Sequence, residues 1–168
     1  MSLPKRVITK LVDHANPLLS LAHRCLPNTL EQHAILFFVN QLAKEFIQQG
    51  DMDFMEGKIA KLSVSDIDLH WFFTKPQGQD RLAVVNLNSD TVADVTFSGS
   101  LDALVLMASQ KMDPDTLFFN RELMISGDTE LGLEIKNLID QFEISKLASP
   151  VKAVLNVWSD HLLEAKYA

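Results

Sequence analysis

The chain of 168 residues is expected to be an α+β protein, a mostly antiparallel sheet covered by helices on one face. Three observations predict this. Between Gly57 and Ser98 apolar residues alternate with a period of two, the mark of half-buried strands. On either side of that region they recur at helical spacing. The strands are also grouped together instead of alternating one by one with helices, which favours α+β over a parallel sheet.

The elements follow in order. Pro17 divides an N-terminal segment into two short helices. After Pro27, Asn28 and Glu31 form a capping-box pattern. The helix it opens carries Leu30, Ala34, Phe37, Phe38, Leu42 and Phe46 at helical spacing, and Gly50 supplies the C′ residue. Ile59 and Leu62 begin the strand region. Ile67, Leu69, Trp71 and Phe73 then alternate with Asp66, Asp68, His70 and Phe72. Pro76 to Asp80 is a hairpin loop, Leu82 to Leu87 a second strand, and Asn88-Ser89-Asp90 a turn. Ala93, Val95 and Phe97 mark a third strand. Short loops between successive strands predict an antiparallel meander. Ser100 caps the next helix. Asp113 caps another, with Pro114 at its first position, where a missing N–H costs nothing. Leu117, Phe118 and Phe119 follow, then a short strand at Leu123 and Ile125. Gly127 ends it. Asp128 caps a helix with Leu131, Ile135, Leu138 and Phe142 on one stripe. Ser149-Pro150 opens a final helix with Val151, Val154, Leu155, Trp158 and Leu162 on one side.

Length fits one domain with a real core. Hydrophobic content is 47% and mean hydropathy +0.07, which leaves room for an apolar surface or cavity. A net charge of −7 argues against nucleic acid as a partner, since phosphates require a basic face. The single cysteine, Cys25, excludes an internal disulfide and fits a reducing, cytoplasmic compartment. No apolar run approaches the ~20 residues that span a bilayer. Polar residues interrupt any secretory hydrophobic core near the start. Residues 1–27 carry Lys5, Arg6, Lys10 and Arg24 against Asp13, a net of +3, leaving −10 for the remainder. With Leu11, Val12, Leu18, Leu19 and Leu21, this segment could meet an anionic membrane surface, or pack on its own domain or a partner.

Chemistry-bearing motifs are scarce. His14, His23, His33, His70 and His161 contain no i, i+4 pair of the kind that binds zinc on a helix. Cys25 has only His23 nearby, a spacing that does not face it on a helix. The run from Asp51 to Gly57 fails as a calcium loop, with Met55 at the fifth position and Glu56 where glycine is needed. Gly127 and Gly132 flank a helix start without the Lys-Ser/Thr of a phosphate loop. Asp66, Asp68 and Asp94 sit on polar strand faces. Acid–base work is one reading of them, and a water-facing sheet surface is the other. What remains is an apolar wall between sheet and helices: Trp71, Phe73, Phe97, Leu104, Met107, Phe118, Phe119, Leu123, Ile125, Leu131 and Ile135. Its pattern fits a filled core and a ligand cavity alike. On this reading Leu104→Asp or Phe118→Asp abolishes binding and folding through a buried unpaired charge.

The stretches GDMDFMEGKIAKLSVSDIDLHWFF and ADVTFSGSLDALVLMASQKMDPDTLFFNRELMISGDTELG, with the helix that follows, resemble the sterol carrier protein type 2 domain over residues 28–143. Within that family, DIDLHWF, DPDTLFF and GDTELGLEIKNLID are most like the bacterial accessory factors of oxygen-independent ubiquinone biosynthesis. The resemblance implies a hydrophobic tunnel lined by the apolar wall, binding of ubiquinone, its prenylated precursors or other lipids, no cofactor, and no catalysis by this chain. It implies as partners a pair of iron–sulfur hydroxylases of the U32 peptidase-like family. A general lipid-transfer protein without pathway commitment is the alternative. Residues 1–27 would then contact membrane or a partner, 28–143 form the lipid-binding domain, and 144–168 add a C-terminal helix.

Overall fold

The computed structural model describes residues 28–85 and 92–167. The expected N-terminal helices, the end of the Leu82–Leu87 strand and the turn after it lie outside those residues.

Helix α1 spans Asn28–Gln49 and ends as its glycine predicts. Gly50 adopts φ +83°, the Asp51 N–H bonds to the Phe46 carbonyl at 2.9 Å and the Gly50 N–H to that of Ile47 at 3.2 Å. This is a Schellman stop. A 3-10 turn at Asp53–Met55 leads into strand β1, Ala60–Val64. Strand β2, Leu69–Thr74, returns antiparallel, and the two-residue β3, Ala83–Val84, pairs with its end. Strand β4, Val95–Gly99, breaks the expected meander. It lies beside β1 and runs parallel to it, so the sheet order is β3-β2-β1-β4-β5. Asp94 fixes this junction, its Oδ2 accepting from the Ile59 N–H at 2.7 Å while its own N–H reaches the Ile59 carbonyl at 2.8 Å.

Helix α2, Leu101–Ala108, starts at Ser100, whose Oγ accepts from the Ala103 N–H. Helix α3, Pro114–Phe119, starts at Asp113, whose carboxylate takes the Thr116 N–H at 2.8 Å and its hydroxyl at 2.6 Å. Strand β5, Leu123–Gly127, is antiparallel to β4. Helix α4, Thr129–Asp140, is capped by Asp128, and helix α5 spans Ser149–Tyr167. The first bond of α5 runs from the Lys152 N–H to the Ala148 carbonyl, so the cap falls one residue before the expected Ser149. Helix α5 packs against α2, with Lys111 and Asp160 paired at 3.0 Å.

The core lies between one sheet face and the helices. Val95, Phe97, Val64, Ala60, Leu123 and Leu131 share a cluster with Ala43 and Ile47 of α1. Helix α4 comes close to the sheet because Gly132 has no side chain: a Cβ there would sit 2.6 Å from Ile125 Cγ2. A second cluster joins Leu42 to Ile144 and Leu147. Helix α1 serves both clusters, so its buried residues do not form the expected stripe: Leu42, Ala43 and Ile47 are buried, whereas Ala34 and Phe37 are exposed.

Candidate functional site: an apolar wall and the groove beside it

The helix-facing side of the sheet carries most of the expected wall. In register, Leu62 of β1 lies between Trp71 and Phe97, and Phe97 faces Ile125. Phe97, Leu104, Leu123 and Leu131 are buried in the main cluster. Trp71, Met107, Ile125 and Ile135 are half-buried against it, and Phe73 is buried nearby. Phe118 and Phe119 depart from the expectation. Leu117 is the member of that run that enters the core, at 0% exposure, whereas Phe118 is 43% and Phe119 79% exposed. Their rings pair edge to face at the surface, 6.0 Å apart. Consecutive helical residues point about 100° apart, so an apolar run of three cannot all face inward. A charge at Phe118 would therefore meet water, and the folding loss expected of Phe118→Asp does not follow; Leu104, 9% exposed, keeps it.

The three carboxylates expected on strand faces lie outside the strands, Asp66 and Asp68 in the turn between β1 and β2 and Asp94 just before β4, and all three are taken up by structural bonds. Asp94 anchors β1 to β4. Asp66 Oδ1 accepts from the Leu101 N–H at 2.9 Å, and Asp68 Oδ1 lies 3.1 Å from His70 Nε2. His70 Nδ1 in turn lies 3.1 Å from Ser63 Oγ on the neighbouring strand. Burial and the adjacent Asp66 push the Asp102 carboxyl above the usual range. Among the described residues no group of three or more His, Cys, Asp or Glu is placed to hold a metal ion. No described helix is long and apolar enough to cross a membrane.

A groove of about 680 Å³ runs between α1 and β3, and none of the eleven wall residues lines it. One amide sets its width. Asn40 on α1 accepts the Leu82 N–H on Oδ1 at 2.8 Å, and its Nδ2 donates to the Leu82 carbonyl at 3.1 Å and to Leu36 at 3.0 Å. The strand edge is thereby stapled to the helix across 42 positions of sequence. Ile47 and Leu82 belong to both the groove and the main core, and Val84 in the groove pairs in register with Phe73 of the wall. The groove and the main core thus share side chains. Sequence reasoning missed the groove, although a signal existed: Asn40 and Lys44 break the apolar surface of α1 four residues apart, on the side that carries Leu36 and Ile47.

Residues 39–140 match the SCP-2 sterol transfer family. The chain belongs to that family, and its five-stranded sheet with covering helices is the family's α+β fold. Among its relatives is the ubiquinone biosynthesis accessory factor UbiT of Escherichia coli (strain K12), 37% identical over 143 residues, covering 84% of this chain and 79% of that protein. UbiT of Escherichia coli O157:H7 matches with the same figures. Among solved structures, the UbiJ-SCP2 ubiquinone synthesis protein superposes with a TM-score of 0.56 at 16% identity, covering 69% of this chain and 98% of that one. That likeness is one of fold.

Proposed function

We propose that this chain is a lipid-binding accessory factor in ubiquinone biosynthesis. It holds ubiquinone and prenylated precursors while partner enzymes carry out the ring chemistry. The observation that carries the reading is the 37% identity to UbiT across most of both chains, within a family described by sterol transfer. Physical chemistry supports it. A polyprenyl tail is insoluble, and removing it from water is worth roughly 25 cal/mol per Å² of apolar area. The half-buried Trp71, Met107, Ile125 and Ile135 offer a surface that can repack around such a tail. The carboxylates that would suit acid–base work are committed to backbone and histidine contacts, which fits a holding role. The finer assignments rest on the same resemblance: action in the oxygen-independent branch, alongside an iron–sulfur hydroxylase pair of the U32 peptidase-like family. In this reading residues 28–143 form the carrier body, the basic residues 1–27 contact membrane or partner, and the lone cysteine fits a cytoplasmic location.

Organic extraction of gently purified protein, followed by mass spectrometry, tests this. Prenylated quinone intermediates are expected in the extract. Protein that emerges empty from several mild preparations, and takes up no added lipid, overturns the proposal. The family's description as sterol transfer favours a second reading, a general lipid carrier. That reading requires phospholipid and quinone to be taken up comparably.

A further inference from the structure

We infer that the groove between α1 and β3 receives the head of the bound lipid, and that this head carries hydrogen-bond-accepting oxygens met by Lys44 and Arg81. The inference rests on the lipid-binding reading above and adds to it a site and a head chemistry. The volume, about 680 Å³, falls inside the ~300–1,000 Å³ of small-ligand sites. Its floor is apolar, from Leu36, Ile47 and Leu82, and Phe37 on its rim exposes 57% of its surface. Its exposed cations come from opposite walls, Lys44 from the helix and Arg81 from the approach to β3.

Charge and hydrogen-bonding capacity point to the ligand. The chain as a whole is at −7, yet this groove sets Lys44 and Arg81 against the single carboxylate of Asp80. Lys44 makes no ion pair among the described residues. Arg81 gives its Nε to Gln79 Oε1 at 3.2 Å, which orients the guanidinium, and among the described residues its terminal nitrogens keep their donors. Lysine and arginine side chains only donate, so a ligand seated here must bring acceptors. Quinone carbonyls and carboxylate oxygens both qualify, and the flat face of Phe37 suits a ring. The amide of Asn40, with its oxygen and nitrogen both committed to holding Leu82 and Leu36, is a positioning residue that keeps the walls at fixed distance. Ile47 and Leu82, on the floor of this groove, also belong to the main core.

Three probes with one tail separate the possibilities: decylbenzoquinone, decylbenzoate and decylbenzene, titrated calorimetrically into the full chain. The expected result is that one or both oxygen-bearing heads bind about tenfold or more tighter than decylbenzene. In the double variant Lys44→Gln, Arg81→Gln the preference should fall to within about twofold, with decylbenzene binding unchanged. Both residues are exposed, so the variant should fold, which circular dichroism checks. Preference for the benzoate alone supports the site with an anionic head, and preference for the quinone supports it with a neutral one. Equal binding of all three probes, or a preference that survives in the double variant, overturns the inference and leaves lipid binding standing. Failure of the unaltered chain to bind any of the three counts against lipid binding itself.

Discussion

At the scale of single residues, the run Leu117, Phe118, Phe119 separates two kinds of apolar side chain. Leu117 has no exposed surface, so Leu117→Ala should lower the unfolding free energy by about 2–5 kcal/mol in urea titration. Phe118→Asp should fold, with a Tm within a few degrees of the parent, because its ring is already in partial contact with water. A Phe118→Asp protein that does not fold would show that the ring is structural after all. The sequence displays three apolar residues in a row and holds no local mark of which one faces the sheet. That choice is made by the docking angle of a six-residue helix, which depends on β5 and α4. Leu104, Leu123 and Leu131 were legible as interior residues because each sits in a period that leaves one face to bury.

At the scale of elements, the helix starts were legible because a cap is a local event. Ser100, Asp113 and Asp128 each bond backbone N–H groups two or three positions ahead. For Asp113 this has a pH signature. Its bonds to the Thr116 hydroxyl and backbone hold the carboxyl below its ordinary range. The folded-state value is lower than the unfolded one, so the contribution is complete above the ordinary aspartate value of ~3.9 and is lost as pH falls through the lowered value. Asp113→Ala should therefore melt below the parent at neutral pH, and the two melting curves should converge in strong acid. A gap that persists there would rule out the charged cap as its cause. Strand partnership was less legible. The alternation around Val95 and Phe97 predicts a strand, but its parallel pairing with β1 joins positions 35 apart, such as Ala60 and Val95, and leaves no local trace.

At the scale of the molecule, fold class could be read from grouping of strands, whereas the groove could not. It exists only when α1 and β3 meet, and the Asn40 amide that joins them looks like any polar residue on a helix. Lys75 shows the same limit. It is 4% exposed and donates to Asp53 Oδ1 at 2.7 Å and Glu56 Oε1 at 2.6 Å, tying the end of β2 to the turn before β1. Those bonds, Asp53 first, hold its ammonium above the ordinary lysine range. A raised value means the contribution is full below the unfolded pKa and is lost only as pH rises through the folded one. Lys75→Met keeps the apolar stem but leaves two carboxylates facing each other. Its Tm should drop by several degrees at neutral pH, and the difference should close in strongly alkaline buffer, as calorimetry would register. An unchanged Tm at pH 7 would show that the pair adds nothing to stability.

The central position of the β1–β4 pair bears on how this chain reaches its fold. Strands β1 and β2 can associate through a short turn, within microseconds for an isolated hairpin. Strand β4 must then return past the whole β2–β3 excursion to lie on the other side of β1. Closing that long loop costs entropy before the contacts of β4 and β5 repay it, which makes this the slow event of folding. Until it happens, the open edge of β1 and the underside of α4 have no partner. The same apolar face that suits a water-insoluble cargo is then the surface on which half-folded chains can aggregate.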